Sequence, residues 1–135
     1  MSTAESPERL PTAAVCERCR AETGRYRRGE PHDDRYCFEM IRRAVVQRDE
    51  HCWEELTVIY RDHVLAWCRR AGGTEGDLDE MMEAAWVKFW RHYTPEKLAG
   101  AGGSTAAALT YLRTCASSAV LDEARRRARN QARED

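Results

Sequence analysis

Helical spacing of the apolar residues constrains the fold of this chain more than any other feature. From residue 33 onward, apolar side chains return every three or four positions, as they do on one face of an α-helix. No window alternates apolar and polar residues over the length of a strand, and runs of β-branched residues are absent. The sequence therefore predicts an all-α protein, a compact bundle of about four helices over residues 33–130.

Capping residues and glycines delimit the first two predicted helices. Asp33 or Asp34 can accept hydrogen bonds from the first turn of one helix, and Asp49 can do so for the next. The second helix is expected to end at Gly72-Gly73, because glycine adopts the left-handed conformation at low cost.

The last two predicted helices each have one apolar face and one polar face. The third begins at Asp77, with Glu80 as its capping partner. A flexible connection over residues 94–104 follows, and Ser104 or Thr105 then caps the last helix. The predicted core faces consist of Met82, Ala85, Trp86, Phe89, Trp90 and Tyr93 in the third helix, and of Ala108, Leu109, Leu112, Cys115, Ala116, Ala119 and Val120 in the last.

The segment before these helices lacks a period. Residues 1–15 hold two prolines among small polar residues, which favours a disordered lead-in. Residues 16–36 carry two glycines and a proline among many charges, a composition typical of a loop. Residues 131–135 are predicted to form a short tail.

Residues 16–37 contain a candidate metal site. Cys16, Cys19, His32 and Cys37 form a Cys-x2-Cys-x12-His-x4-Cys pattern. A close pair of cysteines followed by two further ligands is typical of structural zinc sites. The sequence therefore predicts one structural Zn²⁺, held by these four side chains in a Cys-rich loop.

Two other interpretations of these cysteines stay open. In one, Cys37 belongs to the core of the first helix and the others are reduced thiols without a role. In the other, Cys16 and Cys19 are a redox-sensing pair whose thiol pKa values are lowered by Arg18 and Arg20.

Charge is segregated along the chain, although the net charge is only −1. Five acids and no base lie between Glu75 and Glu83, whereas six arginines lie between Tyr111 and Arg133. One part of the fold should attract cations and another should attract polyanions. The first ten residues lack an apolar signal sequence and no stretch is apolar enough to span a bilayer, so a cytoplasmic protein without a membrane partner is predicted.

Three consecutive blocks combine helical spacing with charged residues at fixed positions. The first is Arg48-Asp49-Glu50, Trp53-Glu54, Leu56, Tyr60-Arg61 and Val64, the second is the continuous run from Asp77 to Trp90, and the third is Tyr111-Leu112, Cys115-Ala116, Ser118, Leu121-Asp122 and Arg125-Arg126. In this order they resemble region 2 of bacterial sigma factors, the sigma-70 superfamily, and most closely its extracytoplasmic-function type. The similarity spans residues 37–129. Ala84 and Ser118 stand where the family usually has Glu and Asn.

The resemblance implies a transcription initiation factor module without catalysis. In the family, the third helix docks on the clamp helices of the largest subunit of core RNA polymerase. The corresponding residues here are Asp77, Glu80, Glu83, Val87, Lys88 and Arg91. The family's last helix recognises and helps to melt the −10 promoter element, holding a base of the non-template strand. Its DNA-binding counterparts are Tyr111, Arg113, Thr114, Ser117, Ser118, Arg125, Arg126, Arg127 and Arg129. An anti-sigma factor is a further partner that the resemblance implies.

An alternative function is an interaction adaptor that keeps the sigma shape and binds polymerase or a regulator without reading promoters. The two departures at Ala84 and Ser118 favour this alternative. An enzyme is not predicted, because His51, His63 and His92 lie in helical patterns that form no catalytic constellation with a nucleophile or carboxylates, and the sequence has no phosphate-binding loop.

Overall fold

The computed structural model describes residues 6–100 and 104–134, and all regular structure among them is helical. Their α-helices are α1 (Thr12–Arg27), α2 (Arg35–Val46), α3 (Glu50–Ile59), α4 (Arg61–Arg70), α5 (Leu78–His92), α6 (Pro95–Gly100) and α7 (Thr105–Glu134). Short 3-10 helices cover Pro7–Arg9 and Glu75–Asp77. The all-α prediction is confirmed, whereas the predicted number of about four helices is too small. No helix within the described ranges has the length and apolar character needed to cross a membrane.

The described residues divide into two compact units. The first takes those up to Ile59 together with those between Thr94 and Ala108. The second takes Tyr60–Tyr93 and the residues from Leu109 onward.

Helix α1 of the first unit includes residues 16–27, so the loop predicted for residues 16–36 is wrong there, whereas residues 28–34 are irregular as predicted. The helix packs against α2 and α3, and it buries Val15, Cys16, Cys19 and Thr23. These four positions follow helical spacing, but only valine is a conventional core residue, so the period is hidden when cysteine and threonine are not counted as apolar.

A glycine ends α1 at the place where the sequence suggested irregular structure. Gly29 has a φ of 73°, in the left-handed region. Its N–H donates to the carbonyl of Tyr26 at 3.0 Å, and the N–H of Glu30 donates to the carbonyl of Arg25 at 2.9 Å. This pair of bonds satisfies the last carbonyls of the helix. The glycine therefore marks the end of a helix and not a long loop.

A buried arginine ties the residues before α1 to α2. Arg43 donates from Nη2 to the carbonyls of Pro7, Glu8 and Leu10 at 3.3, 3.2 and 2.7 Å. The disordered lead-in predicted for residues 1–15 is therefore wrong for residues 6–15, since side-chain hydrogen bonds order a segment that has little apolar surface of its own. Residues 1–5 lie outside the described ranges.

The predicted caps of α2 and α3 are confirmed. The N–H of Arg35 donates to the Asp33 carboxylate at 3.0 Å, and the N–H of Cys52 donates to the Asp49 carboxylate at 3.1 Å. A single residue, Tyr60, separates α3 from α4, which were expected to be one helix. The apolar stripe that predicted a single helix gives no sign of this break.

Part of the flexible connection predicted over residues 94–104 is helix α6. The N–H of Lys97 donates to Thr94 Oγ1 at 3.2 Å, so threonine caps the helix, and proline occupies its first position. Leu98 is buried at 3% exposure and anchors α6 in the first unit. Ser104 caps α7, as predicted, through a 3.3 Å bond from the N–H of Ala107. Residues 101–103 lie outside the described ranges.

The second unit contains α4, α5 and most of α7. Helix α4 ends at Arg70. Gly72, two residues later, has a φ of 104° in the left-handed region, so the predicted stop at Gly72-Gly73 is confirmed. Helices α4 and α5 pack together, with Val64, Cys68, Met81 and Phe89 in the core. Helix α7 continues through residues 131–134, which the sequence assigned to a tail.

Gly73 is fixed by close packing at the turn between α4 and α5. A Cβ atom there would lie 2.9 Å from the Cys68 carbonyl oxygen and 2.9 Å from Met81 Sδ. We expect Gly73→Ala to lower the free energy of unfolding by roughly 1–3 kcal/mol, because a backbone atom cannot move aside cheaply. Gly76 has open space around its Cβ position, so Gly76→Ala is the matched control and should change stability by less than about 0.5 kcal/mol. Urea denaturation measures both, and equal stabilities of the two variants would contradict the packing argument.

Candidate functional site

Helix α5 has one buried and one exposed face, as its periodicity predicts, but Met82 and Trp90 of the predicted core face are half-buried and Met81 is buried. Ala85 and Phe89 belong to the buried side. On the opposite side Glu80, Glu83 and Arg91 are exposed, and Val87 is 46% exposed. Two further residues of the predicted polymerase-binding set, Asp77 and Lys88, are half-buried. We call these six residues the α5 face. A partner can reach its four exposed members without disturbing the core.

Asp77 is engaged by other side chains and does not cap α5. Its carboxylate accepts a hydrogen bond from Thr74 Oγ1 at 2.6 Å and forms an ion pair with Arg127. The hydrogen bond from Thr74, together with Arg127, lowers the pKa of Asp77 below its ordinary value. Asp77 makes no side-chain capping bond to α5, so the predicted capping role with Glu80 is wrong. Thr74 and Arg127 occupy the carboxylate instead.

A second ion pair connects α5 with α7. Lys88 Nζ lies 2.6 Å from Asp122 Oδ2, and this contact lowers the pKa of Asp122. The α5 face therefore holds two groups, Asp77 and Lys88, whose charges are already partly compensated by α7. Glu80 and Glu83 have no ion-pair partner among the described residues.

Helix α7 presents small polar side chains opposite its core face. Leu112, Cys115, Ala116, Ala119 and Val120 are buried, in agreement with the sequence. The opposite side consists of Thr110, Thr114, Ser117, Ser118, Leu121 and Arg125, of which only Ser118 is half-buried. The hydroxyl of Thr114 donates to the carbonyl of Thr110 at 3.2 Å, so it is committed to its own helix.

Two of the predicted DNA-binding arginines are held in ion pairs. Arg126 donates to both oxygens of Glu123 at 3.0 and 2.5 Å. Arg127 donates to Glu123 at 3.2 Å and also pairs with Asp77. Hydrogen bonding from Arg126 is the main reason that the pKa of Glu123 is lowered. No role was predicted for Glu123 from the sequence, although its spacing of three and four residues from these arginines is a known signal for helix ion pairs.

Arg113, Arg125 and Arg129 have no ion-pair partner in the part of the chain that the structure describes. All three are exposed on α7. Arg125 and Arg129 contribute to lowering the pKa of Asp122, but no ion pair has to break before these guanidinium groups contact an external anion.

Tyr111 belongs to an aromatic cluster in the second unit. Its ring centroid lies 5.0 Å from that of Tyr93 and 6.3 Å from that of Phe89. The rings of Tyr93 and Phe89 stack on each other with their centroids 4.8 Å apart. Tyr111 is half-buried, so one part of its ring is accessible. The hydroxyl of Tyr93 is buried and has no hydrogen-bond partner among the described residues, and burial raises its pKa. The cluster fixes the position of Tyr111.

The predicted zinc ligands are used differently in the structure. Cys19 and Cys37 form a disulfide that joins α1 to α2, and the Thr23 hydroxyl donates to Cys37 Sγ at 3.4 Å. His32 is exposed and its ring packs edge-on against Tyr26 at 5.0 Å. Within residues 6–100 and 104–134, no three metal-ligating side chains are grouped so that they could hold an ion. The zinc prediction has no support here, because two of its sulfur ligands are bonded to each other.

Cys16 lies beside Cys52 of α3. Both side chains are buried, and their thiols are hydrogen-bonded to each other. Burial is the main cause of a raised pKa at Cys16, and it raises the pKa of Cys52 to about 12. The prediction that Arg18 and Arg20 lower the thiol pKa at Cys16 is therefore wrong, since desolvation outweighs the nearby positive charge.

Comparisons of the chain with protein-family models, with curated proteins and with solved structures give no match.

Proposed function

We propose that this chain is a transcription initiation factor module of the sigma type, which binds core RNA polymerase and contacts the −10 element of promoter DNA. The α5 face is the observation that carries the proposal. Its residues were assigned from a sequence resemblance, and four of them are exposed on one side of a helix whose other side is core. A docking surface needs this combination of accessibility and a rigid support.

Charge along the α5 face suits a partner with the opposite order of charge. Glu80 and Glu83 lie in the first half of α5, and Arg91 lies in its last turn. Val87 stands between them as an exposed apolar side chain that a partner could desolvate. The clamp helices of the largest polymerase subunit are the proposed partner. Salt bridges at the edge of such a contact would steer association, and Val87 would contribute apolar burial.

DNA binding is assigned to α7. Arg113, Arg125 and Arg129 have exposed guanidinium groups for phosphates, with no ion pair to break in the described part of the chain. Ser117 and Ser118 offer hydroxyls for base edges, and the accessible part of the Tyr111 ring offers a stacking surface for a base of the non-template strand. The arrangement separates residues that would set affinity from residues that would set sequence preference.

The proposal is tested by transcription from a promoter library with core polymerase and the full chain. Specific start sites that appear only with the chain present, and share a −10 motif, are the expected result. Polymerase binding without any specific start would contradict promoter recognition.

We expect Glu80→Lys/Glu83→Lys to weaken binding to core polymerase by at least about tenfold, because two charges of the docking surface change sign. Both side chains are exposed, so each change should cost less than about 0.5 kcal/mol of stability. Biolayer interferometry with core polymerase measures the affinity, and thermal unfolding monitors the fold.

The matched control is Glu17→Lys/Glu54→Lys, which alters net charge equally at exposed sites on α1 and α3. It should bind polymerase as the wild type does. Equal affinities of the two double variants would refute the α5 face as the docking surface.

One observation favours the alternative, an adaptor that occupies polymerase or a regulator such as an anti-sigma factor without reading promoters. Arg126 and Arg127 are paired with Glu123 and Asp77, so the free basic surface of α7 is smaller than the sequence suggests. An adaptor would compete with other initiation factors for polymerase in the same assay and produce no starts of its own.

A further inference from the structure

Four of the six cysteines form two separate pairs where α1 packs on α2 and α3. Cys16 and Cys19 are one turn apart on α1, and both are buried, at 1% and 0% exposure. Cys19 is bonded to Cys37 of α2, whereas Cys16 contacts Cys52 of α3 as a free thiol. One face of α1 thus carries two sulfur atoms, and each of them faces a cysteine of a different helix.

Helix α1 has little apolar surface with which to hold its place. Its buried side chains, Val15, Cys16, Cys19 and Thr23, are all small. The remaining contacts are polar and exposed in part, such as the 2.5 Å ion pair of Arg20 with Glu55. Exposed ion pairs of this kind contribute little stability. Sulfur–sulfur bonds are therefore the strongest available attachment of this helix.

We propose that Cys16 and Cys52 are a second disulfide site, and that together with Cys19–Cys37 they form a redox lock that fastens α1 to both α2 and α3. With both disulfides made, α1 is fixed on its neighbours. With both reduced, α1 can separate from them and expose the cysteines beneath it. This inference does not depend on the proposed role in transcription.

The lock closes by thiol–disulfide exchange with a low-molecular-weight disulfide such as oxidised glutathione. The thiolate of one cysteine of the Cys16–Cys52 pair attacks a glutathione sulfur, which forms a mixed disulfide and releases one glutathione thiolate. The thiolate of the other cysteine then attacks the protein sulfur of that mixed disulfide and releases the second glutathione. Two cysteine thiols and one oxidised glutathione become one protein disulfide and two reduced glutathiones, which carry the two protons.

Burial determines when this exchange takes place. Cys16 and Cys52 are inaccessible in the packed structure, and burial raises their pKa values, so few thiolates are present. Exchange must follow a transient opening of α1. A chain without the Cys19–Cys37 bond opens more readily, so Cys19→Ser/Cys37→Ser should form Cys16–Cys52 at least about fivefold faster than the wild type.

Peptide mapping tests the second site directly. The full chain is equilibrated in glutathione buffers from reducing to oxidising, its thiols are blocked with N-ethylmaleimide in denaturant, and it is digested with trypsin. Cleavage after Arg18 separates Cys16 from Cys19, so the two disulfides appear in different peptide pairs. We expect residues 10–18 to be linked to residues 49–61 in oxidising buffer, and Cys52→Ser to lose that link alone. If Cys16 and Cys52 remain blocked by maleimide in fully oxidising buffer, the second site is refuted.

Limited proteolysis tests the lock. Trypsin should cleave after Arg18 and Arg20 at least about tenfold faster in the fully reduced chain than in the chain with both disulfides. Cleavage after Arg129, which is exposed near the end of α7, serves as the internal control and should be equal in the two states. Equal rates within α1 would overturn the lock even if the second disulfide forms.

Discussion

Replacement of Arg43 by alanine should lower the free energy of unfolding by about 3 kcal/mol, one of the largest effects of any single substitution in this chain. Arg43 is only 6% exposed, and its Nε donates to Glu39 Oε2 at 2.6 Å. It also donates to three carbonyls of the segment before α1 and, at 3.2 Å, to Thr12 Oγ1. Alanine would remove the guanidinium, and each of these buried or partly buried acceptors would lose its hydrogen bond from Arg43.

The loss should fall mainly on the N-terminal segment. Glu39 keeps a bidentate partner in Arg42, at 2.7 Å for each bond, so its charge stays compensated. Within the described ranges, Arg43 is the donor to the carbonyls of Glu8 and Leu10, whereas the carbonyl of Pro7 also accepts from the N–H of Leu10 at 3.1 Å. Hydrogen exchange should therefore show faster opening of this segment, and urea denaturation followed by circular dichroism should give the change in stability.

Arg42→Ala is the matched control. Arg42 also pairs with Glu39, but its side chain is 31% exposed, so the expected loss is about 1 kcal/mol. Arg43→Lys should be intermediate, because an ammonium group can pair with Glu39 but cannot reach all the carbonyls in the same geometry. A stability of Arg43→Ala equal to that of Arg42→Ala would contradict the role assigned to Arg43.

The same contacts make a prediction for acid. Burial raises the pKa of Glu39, but hydrogen bonds from Arg42 and Arg43 outweigh it, and the resulting pKa lies below the ordinary value of 4.5. A pKa lowered in the folded state adds stability that is present above the ordinary value and is lost as the pH falls through the folded value. The wild type should therefore lose stability below about pH 4.5, and Arg43→Ala should lose less over the same range.

The helices with large apolar side chains were predictable from the sequence. In α5, Trp86 and Phe89 alternate with Glu83 and Val87 at spacings that only a helix brings to separate faces, and the structure agrees. The cap at Asp49 was predictable for a similarly local reason, since an aspartate directly before a helix accepts its first N–H groups.

Helix α1 could not be predicted by the same rule. Its buried stripe is made of small or polar residues, and its charged residues resemble those of a loop. Its position depends on partners far along the chain, above all the bond from Cys19 to Cys37. Six cysteines allow many pairings, and spacing alone does not select among them. The cysteine spacing was visible in the sequence, but which cysteines form a disulfide depends on which helices pack together in the fold.

The candidate site was predictable in composition but not in charge balance. The sequence predicted functional roles for Asp77, Lys88 and Arg127. It did not predict that these charges are partly compensated, because their ion-pair partners come close only in the folded unit. Asp77 and Arg127 are fifty residues apart in sequence and form an ion pair. Lys88 likewise finds Asp122 across the unit. Long-range pairing of this kind leaves no periodic signal.

The difference between paired and unpaired arginines on α7 leads to the second large expected effect, a loss of affinity for DNA. Arg125→Ala/Arg129→Ala should weaken binding to a single-stranded −10 oligonucleotide by about tenfold at 0.1 M salt. Both guanidinium groups are exposed and lack an internal ion-pair partner in the described part of the chain, so they can contact phosphates without breaking an ion pair. The logarithmic salt dependence should fall by about 1.4, since each lost contact to a single strand removes about 0.7.

Arg126→Ala/Arg127→Ala is the matched control, because it removes two positive charges from the same helix. These arginines are already paired with Glu123 and Asp77, so their loss changes the net charge without removing a free phosphate contact. The salt slope should stay within about 0.3 of the wild type, although long-range repulsion should lower the affinity by about two- to threefold. Fluorescence anisotropy between 50 and 300 mM salt measures both quantities.

Sequence preference provides the decisive comparison between the two variants. Phosphate contacts carry no base information, so Arg125→Ala/Arg129→Ala should bind matched and scrambled −10 oligonucleotides in the same ratio as the wild type. Ser117→Ala/Ser118→Ala should instead reduce that ratio and leave the salt slope unchanged, because hydroxyls contact base edges and displace few counterions. The assignment of α7 would be wrong if Arg125→Ala/Arg129→Ala changed the ratio of matched to scrambled binding while the salt slope stayed constant. It would also be wrong if both arginine variants lost the same salt slope, because the unpaired and paired arginines would then not differ in function.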